Sequence, residues 1–176
     1  MNKTKKMILI SIFVALSLVL DYIKSFIPFL NMPSGGSINI ALIPVCICSF
    51  YLGIKEGIIS GFLWWLISSL IGLNSWFLNV PQYLVDYVLP SIIPGISSIF
   101  YKKNNIVSIE FGILVSMLIR TMCLLVSGAI FWPDGVAANS SAAWIGSAVY
   151  NLPYSIATTI MLMIVIPIIL KAIKSK

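Results

Sequence analysis

The sequence predicts an all-α integral membrane protein with six transmembrane helices and both termini in the cytoplasm. Three observations support this prediction. Sixty per cent of the 176 residues are hydrophobic and nine per cent are charged, which is too little charge to solvate the surface of a soluble domain. The mean hydropathy is +1.06, and apolar runs recur along the whole chain, unlike the single run of a signal peptide. All lysines except Lys24 lie in alternate turns or at the two ends.

Six apolar segments divide the chain. They cover residues 7–30, 38–53, 56–73, 83–101, 106–131 and 143–170. A span needs about 20 residues, so the second and third segments are short and predict little tilt or a thinned bilayer. Run length favours helices over barrel strands, which alternate over about ten residues. Pro153 and Pro167 are expected to kink or end the sixth helix. We expect residues 1–176 to form a single membrane domain.

The lysines predict the orientation. Six spans place the two termini and the turns at 54–56 and 102–105 on one side, and this side holds Lys3, Lys5, Lys6, Lys55, Lys102, Lys103, Lys171, Lys174 and Lys176. The opposite turns contain neither Lys nor Arg. Cytoplasmic loops are enriched in both residues, so we expect a multi-pass protein of the cell membrane. Cations that flank spans, next to membrane lipids, do not form a nucleic-acid-binding surface.

Catalytic and metal chemistry receive little support from the sequence. Cys46, Cys48 and Cys123 lie in apolar runs, no histidine occurs, and no second cysteine pair follows, so we expect buried free thiols rather than a metal site. A membrane hydrolase would need a base and a nucleophile at one depth. No P-loop motif is present, so any ATP energy must come from partners. We therefore expect neither an enzyme nor a cofactor.

Charged residues within spans cost roughly 2.5–3.5 kcal/mol each on insertion scales, so each needs a physical reason. Lys24 is expected to snorkel toward the outer interface. Glu110 lies near the start of its helix, where the dipole favours an acid. Asp21 and Arg120 lie at similar depths, and we expect them to form a buried ion pair.

Asp86 lies within the first turn of the fourth helix, in "QYLVDY", with no obvious cation partner. It either caps the helix or faces water, or it awaits a cationic ligand, which we favour.

Tryptophans gather on the same side of the membrane. Four of the five, Trp64, Trp76, Trp132 and Trp144, fall in or near the outer half. This asymmetry suggests more than interfacial anchoring.

Small residues at four-residue spacing allow helices to pack closely in membranes. Gly57, Gly61 and Gly72 have such spacing with Ser68 in the third segment, which can reflect packing within the molecule alone. Ser11 and Ala15 form a similar pair on the first helix. If that face is outward, we expect it to dock another membrane protein.

A longer set of motifs resembles a known family. Four stretches carry the resemblance: "RTMCLLVSGAIFWPDG" at 120–135, "YNLPY" at 150–154, "QYLVDY" at 82–87 and "GGSINIALIPVCICSFYLGIKEGIISGFLWW" at 35–65. They are similar to the S components of energy-coupling factor (ECF) transporters, in particular the thiamine-specific ThiT/YuaJ family. The similarity runs over nearly the whole chain. It implies a substrate-binding membrane subunit for vitamin uptake, with thiamine as the transported ligand near the outer face, under a lid formed by the loop joining helices 1 and 2. It also implies a transmembrane coupling protein and two ABC-type ATPases as partners.

The resemblance assigns site residues by position. The acid–Tyr pair of the family corresponds to Asp86 and Tyr87, the third-helix tryptophan to Trp64, the aromatic before helix 4 to Trp76, and the tryptophan of "IFWP" to Trp132. A thiazolium is a permanent cation, suited to a carboxylate and to aromatic faces, where a contact contributes about 0.5–2 kcal/mol.

Asn151 corresponds to the helix-6 amide of the family, and here the chain also departs from the pattern. Leu124 replaces a histidine of many members, and Gly146 replaces a tyrosine unless Tyr150 substitutes for it. Thiamine is the first choice of ligand. The alternatives are an S component for a thiamine precursor such as hydroxymethylpyrimidine or for another vitamin, or a small channel or structural membrane protein. Polar residues that cluster at one end favour a closed pocket over a pore.

Overall fold

The computed structural model describes residues 1–33, 35–73, 76–103 and 105–174. Six helical segments follow one another along the chain. They are α1 (Lys3–Lys24), α2 (Leu42–Leu52), α3 (Ile54–Leu70), the composite α4 (80–96), α5 (Ile106–Phe131) and α6 (Ser141–Lys174). A short 3-10 turn, Pro28–Leu30, follows α1. Within the described ranges the only β pairing is the isolated bridge between Asn31 and Ser37, which confirms the all-α prediction.

Three of these helices are long and apolar enough to cross a membrane alone. They are Lys3–Lys24, Ile106–Phe131 and Ser141–Ile173. The helix α2 has 11 residues, or about 16 Å at the usual rise, and α3 has 17. Both therefore fall short of the roughly 20 residues that a span needs. The second and third segments are short, as their sequence indicates.

The first helix is shifted from its predicted range of 7–30. It begins at Lys3 because the side chain of Asn2 accepts a hydrogen bond from the backbone N–H of Lys5 (3.0 Å), as an N-cap residue does. It ends at Lys24, where the hydroxyl of Ser25 donates to the carbonyl of Tyr22 (2.6 Å). The apolar residues after Lys24 belong to the loop that leads to α2, so hydropathy alone placed the end of α1 too late.

The last helix continues past both of its prolines. Of the two predicted effects of Pro153 and Pro167, a kink or a helix end, the structure excludes the helix end, because α6 is helical from Ser141 to Lys174. Each proline removes one backbone hydrogen bond, a loss that membrane helices tolerate when neighbouring groups compensate. Along its length α6 packs against α5, which has the same bounds as the predicted fifth segment.

The core lies around α2, the most completely buried helix. Cys46 and Cys48 are buried free thiols there, as expected, whereas Cys123 on α5 is partly exposed. Glycines bring α3 against α4. A Cβ added to Gly57 would overlap the carbonyl oxygen of Gly95, and one added to Gly61 would overlap that of Ser91. The small residues of α3 therefore serve packing within the molecule.

We expect Gly57→Ala to destabilise the protein, since overpacking a close contact costs about 1–3 kcal/mol. The measurement is the apparent melting temperature of the detergent-solubilised protein. Gly146→Ala is the matched control, because an added Cβ there has no atom within 4 Å, and alanine favours the helix. Equal melting temperatures for the two variants would contradict the close approach of α3 and α4.

Candidate functional site

A cavity of about 690 Å³ lies among α1, α3, α4, α5 and α6. It opens at the end of the bundle that carries the α1–α2, α3–α4 and α5–α6 loops, because Asn39, Trp76 and Asp134 belong to its lining. All seven residues that the resemblance assigned to the binding site line this cavity: Trp64, Trp76, Asp86, Tyr87, Trp132, Tyr150 and Asn151. The structure therefore brings together residues from three different helices and two loops.

The carboxylate of Asp86 is oriented by neutral donors. Its Oδ2 accepts hydrogen bonds from the indole Nε1 of Trp132 (3.2 Å) and from Nε2 of Gln82 (2.9 Å). Gln82 is fully buried, and its own Oε1 accepts from the backbone N–H of Leu78 (3.1 Å). The ion pairs found within the described part of the chain do not include Asp86. A fixed negative charge without a protein counter-ion therefore borders the cavity.

The backbone of α4 places Asp86 and Tyr87 side by side on the cavity wall. In a regular α-helix the carbonyl of Asp86 would accept from the N–H of residue 90, which is a proline and has none. Residues Leu84–Val88 instead form a π-turn, in which the N–H of Leu89 donates to the carbonyl of Leu84. Such turns are frequent at functional sites. Pro90 is therefore the sequence feature that produces the irregular turn at the site.

Arg120 lines the cavity and has no acidic partner among the residues that the structure describes. Its Nε donates to the carbonyl of Pro90 (3.2 Å), which is free because residue 94, four positions on, is also a proline. Its Nη1 is buried and has no hydrogen-bond partner among the described residues. Sequence reasoning missed Arg120 as a site residue by assigning it to an ion pair. The two prolines on α4 were the signal that could have indicated an acceptor for it.

The predicted ion pair between Asp21 and Arg120 is wrong. Asp21 Oδ1 lies 2.6 Å from Nζ of Lys24, and Asp21 Oδ2 accepts from the indole Nε1 of Trp64 (3.2 Å). Lys24 is one helical turn away on the same helix, so its side chain reaches Asp21 without crossing to another helix. For the same reason Lys24 folds back to the cavity rather than snorkelling outward.

Asn151 is engaged by the protein itself. Its Nδ2 donates to the carbonyl of Ser147 (3.0 Å), and its Oδ1 accepts from the hydroxyl of Tyr154. Gly128 allows this arrangement, because a Cβ at that position would overlap Oγ of Ser147 and approach Nδ2 of Asn151. The glycine of the "SG" motif thus lets α5 and α6 meet beside the cavity, next to the tryptophan at position 132.

The positions that depart from the family also line the cavity. Leu124 is buried and gives the wall an apolar surface, while Gly146 leaves open space, with no atom within 4 Å of an added Cβ. Tyr150, four residues after Gly146, lies on the same wall. The tyrosine on this wall of the cavity is therefore Tyr150, one helical turn after Gly146.

The loop between α1 and α2 lies against the aromatic rim. Gly35 and Gly36 have φ values of +98° and +73°, which favour glycine, and Cβ atoms there would overlap the rings of Tyr150 and Tyr154. The N–H of Asn39 donates to Oγ1 of Thr158 on α6 (3.0 Å). The described part of this loop therefore packs against α6 at the mouth of the cavity.

The tryptophans differ in their positions around the cavity. Trp64 is 5% exposed and Trp76 is 71% exposed, so they occupy its inside and its rim. Trp144 does not line it, and its Nε1 donates to Oδ1 of Asn139 (2.8 Å). Within the described ranges no group of three or more metal-ligating side chains comes together.

Comparison with known proteins identifies the family. The model of the thiamine transporter protein family, Thia_YuaJ, matches residues 7–176. The chain belongs to this family. The thiamine transporter ThiT of Bacillus subtilis (strain 168) is 32% identical over 180 residues, which cover 94% of this chain and 92% of that protein. Because these relatives are transport proteins, the expectation that the chain is not an enzyme is confirmed.

Two solved structures share the fold of this chain. ThiT from Listeria monocytogenes superposes with a TM-score of 0.80 at 26% identity, covering 97% of this chain and 96% of that one. The S component of a bacterial ECF transporter superposes with a TM-score of 0.71 at 20% identity, covering 99% and 98%. The second likeness shows the fold alone. The chain is thus a helical membrane protein of the thiamine transporter family.

We expect Arg120→Met to maintain or raise the melting temperature of the ligand-free protein, because it removes a buried charge that no acid compensates. Lys24→Met is the matched control. It leaves the buried carboxylate of Asp21 without its cation and should lower the free energy of unfolding by about 1–3 kcal/mol. The melting temperature and the free energy of unfolding of both variants are measured on detergent-solubilised protein. A larger loss of stability for Arg120→Met than for Lys24→Met would contradict the assignment of the unpaired charge.

Proposed function

We propose that this chain is the substrate-binding S component of an ECF-type uptake transporter and that it binds thiamine in the cavity described above. The observation that carries the proposal is the carboxylate of Asp86. It is held by Trp132 and Gln82 but has no cation partner among the described residues. A ligand with a permanent positive charge supplies the missing counter-ion. Thiamine has one in its thiazolium ring.

The dimensions and lining of the cavity suit such a ligand. Its volume of about 690 Å³ lies within the roughly 300–1,000 Å³ typical of small-molecule sites. Trp64, Trp132 and Tyr87 supply aromatic surfaces, on which a cationic ring is stabilised by about 0.5–2 kcal/mol per contact. The free Nη1 of Arg120 is a donor, suited to an acceptor atom such as a pyrimidine nitrogen or the terminal hydroxyl of thiamine.

A thiamine precursor is the second candidate ligand. Leu124 and Gly146 supply no polar side chain at two positions of the cavity lining, which removes contacts that many family members offer. A neutral hydroxymethylpyrimidine, however, leaves Asp86 uncompensated. Thiamine satisfies both the carboxylate and the aromatic lining, so it remains the ligand that the charges favour.

The membrane orientation follows from the lysines. Cytoplasmic loops are enriched in Lys and Arg, so the lysine-bearing termini are cytoplasmic and the cavity faces outward. The sequence has no P-loop, and energy must therefore come from partners. These are a transmembrane coupling protein and two ABC-type ATPases. Toppling of the loaded subunit in the cell membrane then exposes thiamine to the cytoplasm.

The partner surface that we propose lies on α1. Ser11 and Ala15 are exposed, one turn apart, and outside the cavity lining. Larger exposed side chains, Ile8 and Ile12, lie beside them. Small residues of this kind let a second helix approach closely. The docking face is therefore separate from the ligand site, and the two can be tested independently.

We expect Asp86→Asn to weaken thiamine binding by about 10- to 100-fold, since a hydrogen-bonded charge interaction contributes about 1.5–3 kcal/mol. Trp132→Ala should weaken it similarly, because it removes both the ring and a donor to Asp86. Binding is measured by quenching of intrinsic tryptophan fluorescence in purified protein. Glu110→Gln is the control, because it removes a carboxylate that does not line the cavity. Unchanged thiamine affinity in Asp86→Asn would contradict the proposed site. A response to hydroxymethylpyrimidine but not to thiamine would change the ligand and retain the transporter class.

We expect Ser11→Leu and Ala15→Leu to abolish thiamine uptake into cells while purified protein retains its thiamine affinity, because large side chains separate the docked helices. Ser11→Ala and Ala15→Ser keep the positions small and serve as matched controls. Uptake and co-purification with the coupling protein are measured together. Normal uptake by both leucine variants would show that α1 docks through another face.

A further inference from the structure

The cavity contains a second pair of aspartate and tryptophan side chains. Oδ2 of Asp21 accepts from the indole Nε1 of Trp64 (3.2 Å), while its Oδ1 lies 2.6 Å from Nζ of Lys24. All three side chains line the cavity. This pair resembles that of Asp86 and Trp132, but it differs in carrying its own cation.

The two partners come from helices that pack together. Asp21 lies on the buried stripe of α1, with Ile10, Val14 and Ser17, and α1 packs against α3. Trp64 lies on the buried stripe of α3 that contains Gly57 and Gly61. Asp21 is 8% exposed and Trp64 is 5% exposed. A buried indole N–H needs an acceptor, and the contact found for it is the carboxylate of Asp21.

Lys24 determines which carboxylate is available to a ligand. Because its ammonium group is paired with Asp21, the charge of Asp21 is compensated within the protein. Asp86 has no such partner among the described residues. The cavity therefore has one carboxylate suited to receive a cation and one suited to hold a neighbouring ring in place.

We propose that Asp21 is a positioning residue, which fixes the rotation of the Trp64 indole so that the ring borders the ligand. Its hydrogen bond acts on Nε1 at one edge of the indole, while Trp64 belongs to the buried hydrophobic cluster. Without the acceptor, the buried N–H is unsatisfied and the ring turns toward another acceptor. The consequence for ligand binding rests on the proposed function, whereas the orientation of the ring does not.

The first test needs no ligand. Protein labelled with ¹⁵N-tryptophan gives an indole N–H signal for each tryptophan, and Trp64→Phe identifies the signal of Trp64. Asp21→Ala should shift that signal, while Asp21→Asn, which keeps an acceptor oxygen, should shift it less. Glu110→Gln is the control for the loss of a carboxylate elsewhere. An unchanged Trp64 signal in Asp21→Ala would overturn the proposal.

The second test measures thiamine binding in a double-mutant cycle of Asp21→Ala and Trp64→Phe. Asp21→Ala alone is expected to weaken binding about tenfold, the usual size for one buried hydrogen bond. In the Trp64→Phe background it should have little further effect, because Asp21 acts through Trp64. Asp21→Asn should restore most of the affinity.

The outcomes separate the alternatives. Additive losses in the cycle, or equal losses for Asp21→Asn and Asp21→Ala, would show that the charge acts on the ligand directly and would overturn the positioning role. If the unaltered protein does not bind thiamine, the proposed function fails, and the indole signals still decide whether Asp21 holds Trp64.

Discussion

Two prolines, four residues apart on α4, determine the chemistry of the cavity. Because a proline has no N–H, Pro90 and Pro94 each leave a backbone carbonyl without its α-helical partner. Pro90 gives the π-turn that carries Asp86 and Tyr87. Pro94 leaves the carbonyl of Pro90 free to accept a hydrogen bond from Nε of Arg120 (3.2 Å). Buried carbonyls that lack partners are costly. The backbone of α4 therefore fixes both the carboxylate and the guanidinium on one wall.

The charges of the cavity are unequally compensated. Lys24 neutralises Asp21 at 2.6 Å, whereas the hydrogen-bond partners of Asp86 and Arg120 among the described residues are neutral groups. A buried charge without a counter-ion costs stability, and binding sites commonly retain such costs for function. A ligand that combines a cation with a hydrogen-bond acceptor relieves both at once. This is the physical reason why the protein should be more stable with its ligand than without it.

The sequence predicted the depth of each residue along its helix better than the side of the helix on which the residue lies. Run length and lysines gave six helices, and the acid, tyrosine and tryptophans of the resemblance all line one cavity. Depth also placed Asp21 near Arg120, but Trp64 and Lys24 are the partners of Asp21. Trp144 is at the same end of the molecule and bonds instead to Asn139. Which side chains form hydrogen bonds or ion pairs depends on which face each helix turns toward its neighbours. A membrane helix is apolar on nearly every face, so its sequence does not show which face that is.

The helices α5 and α6 each carry cavity residues at one end and core residues at the other. On α5 the cavity residues begin at Arg120, and the buried residues before it, such as Ile113 and Met117, belong to the apolar core. On α6 the cavity residues end at Tyr154, and Leu162 and Ile166 continue the same core. Between the cavity and the lysine-rich end, these helices therefore contribute an apolar core in which buried hydroxyl groups such as that of Ser116 are interspersed. Along α5 and α6, the cavity residues therefore occupy one end of the bundle and the apolar core occupies the other.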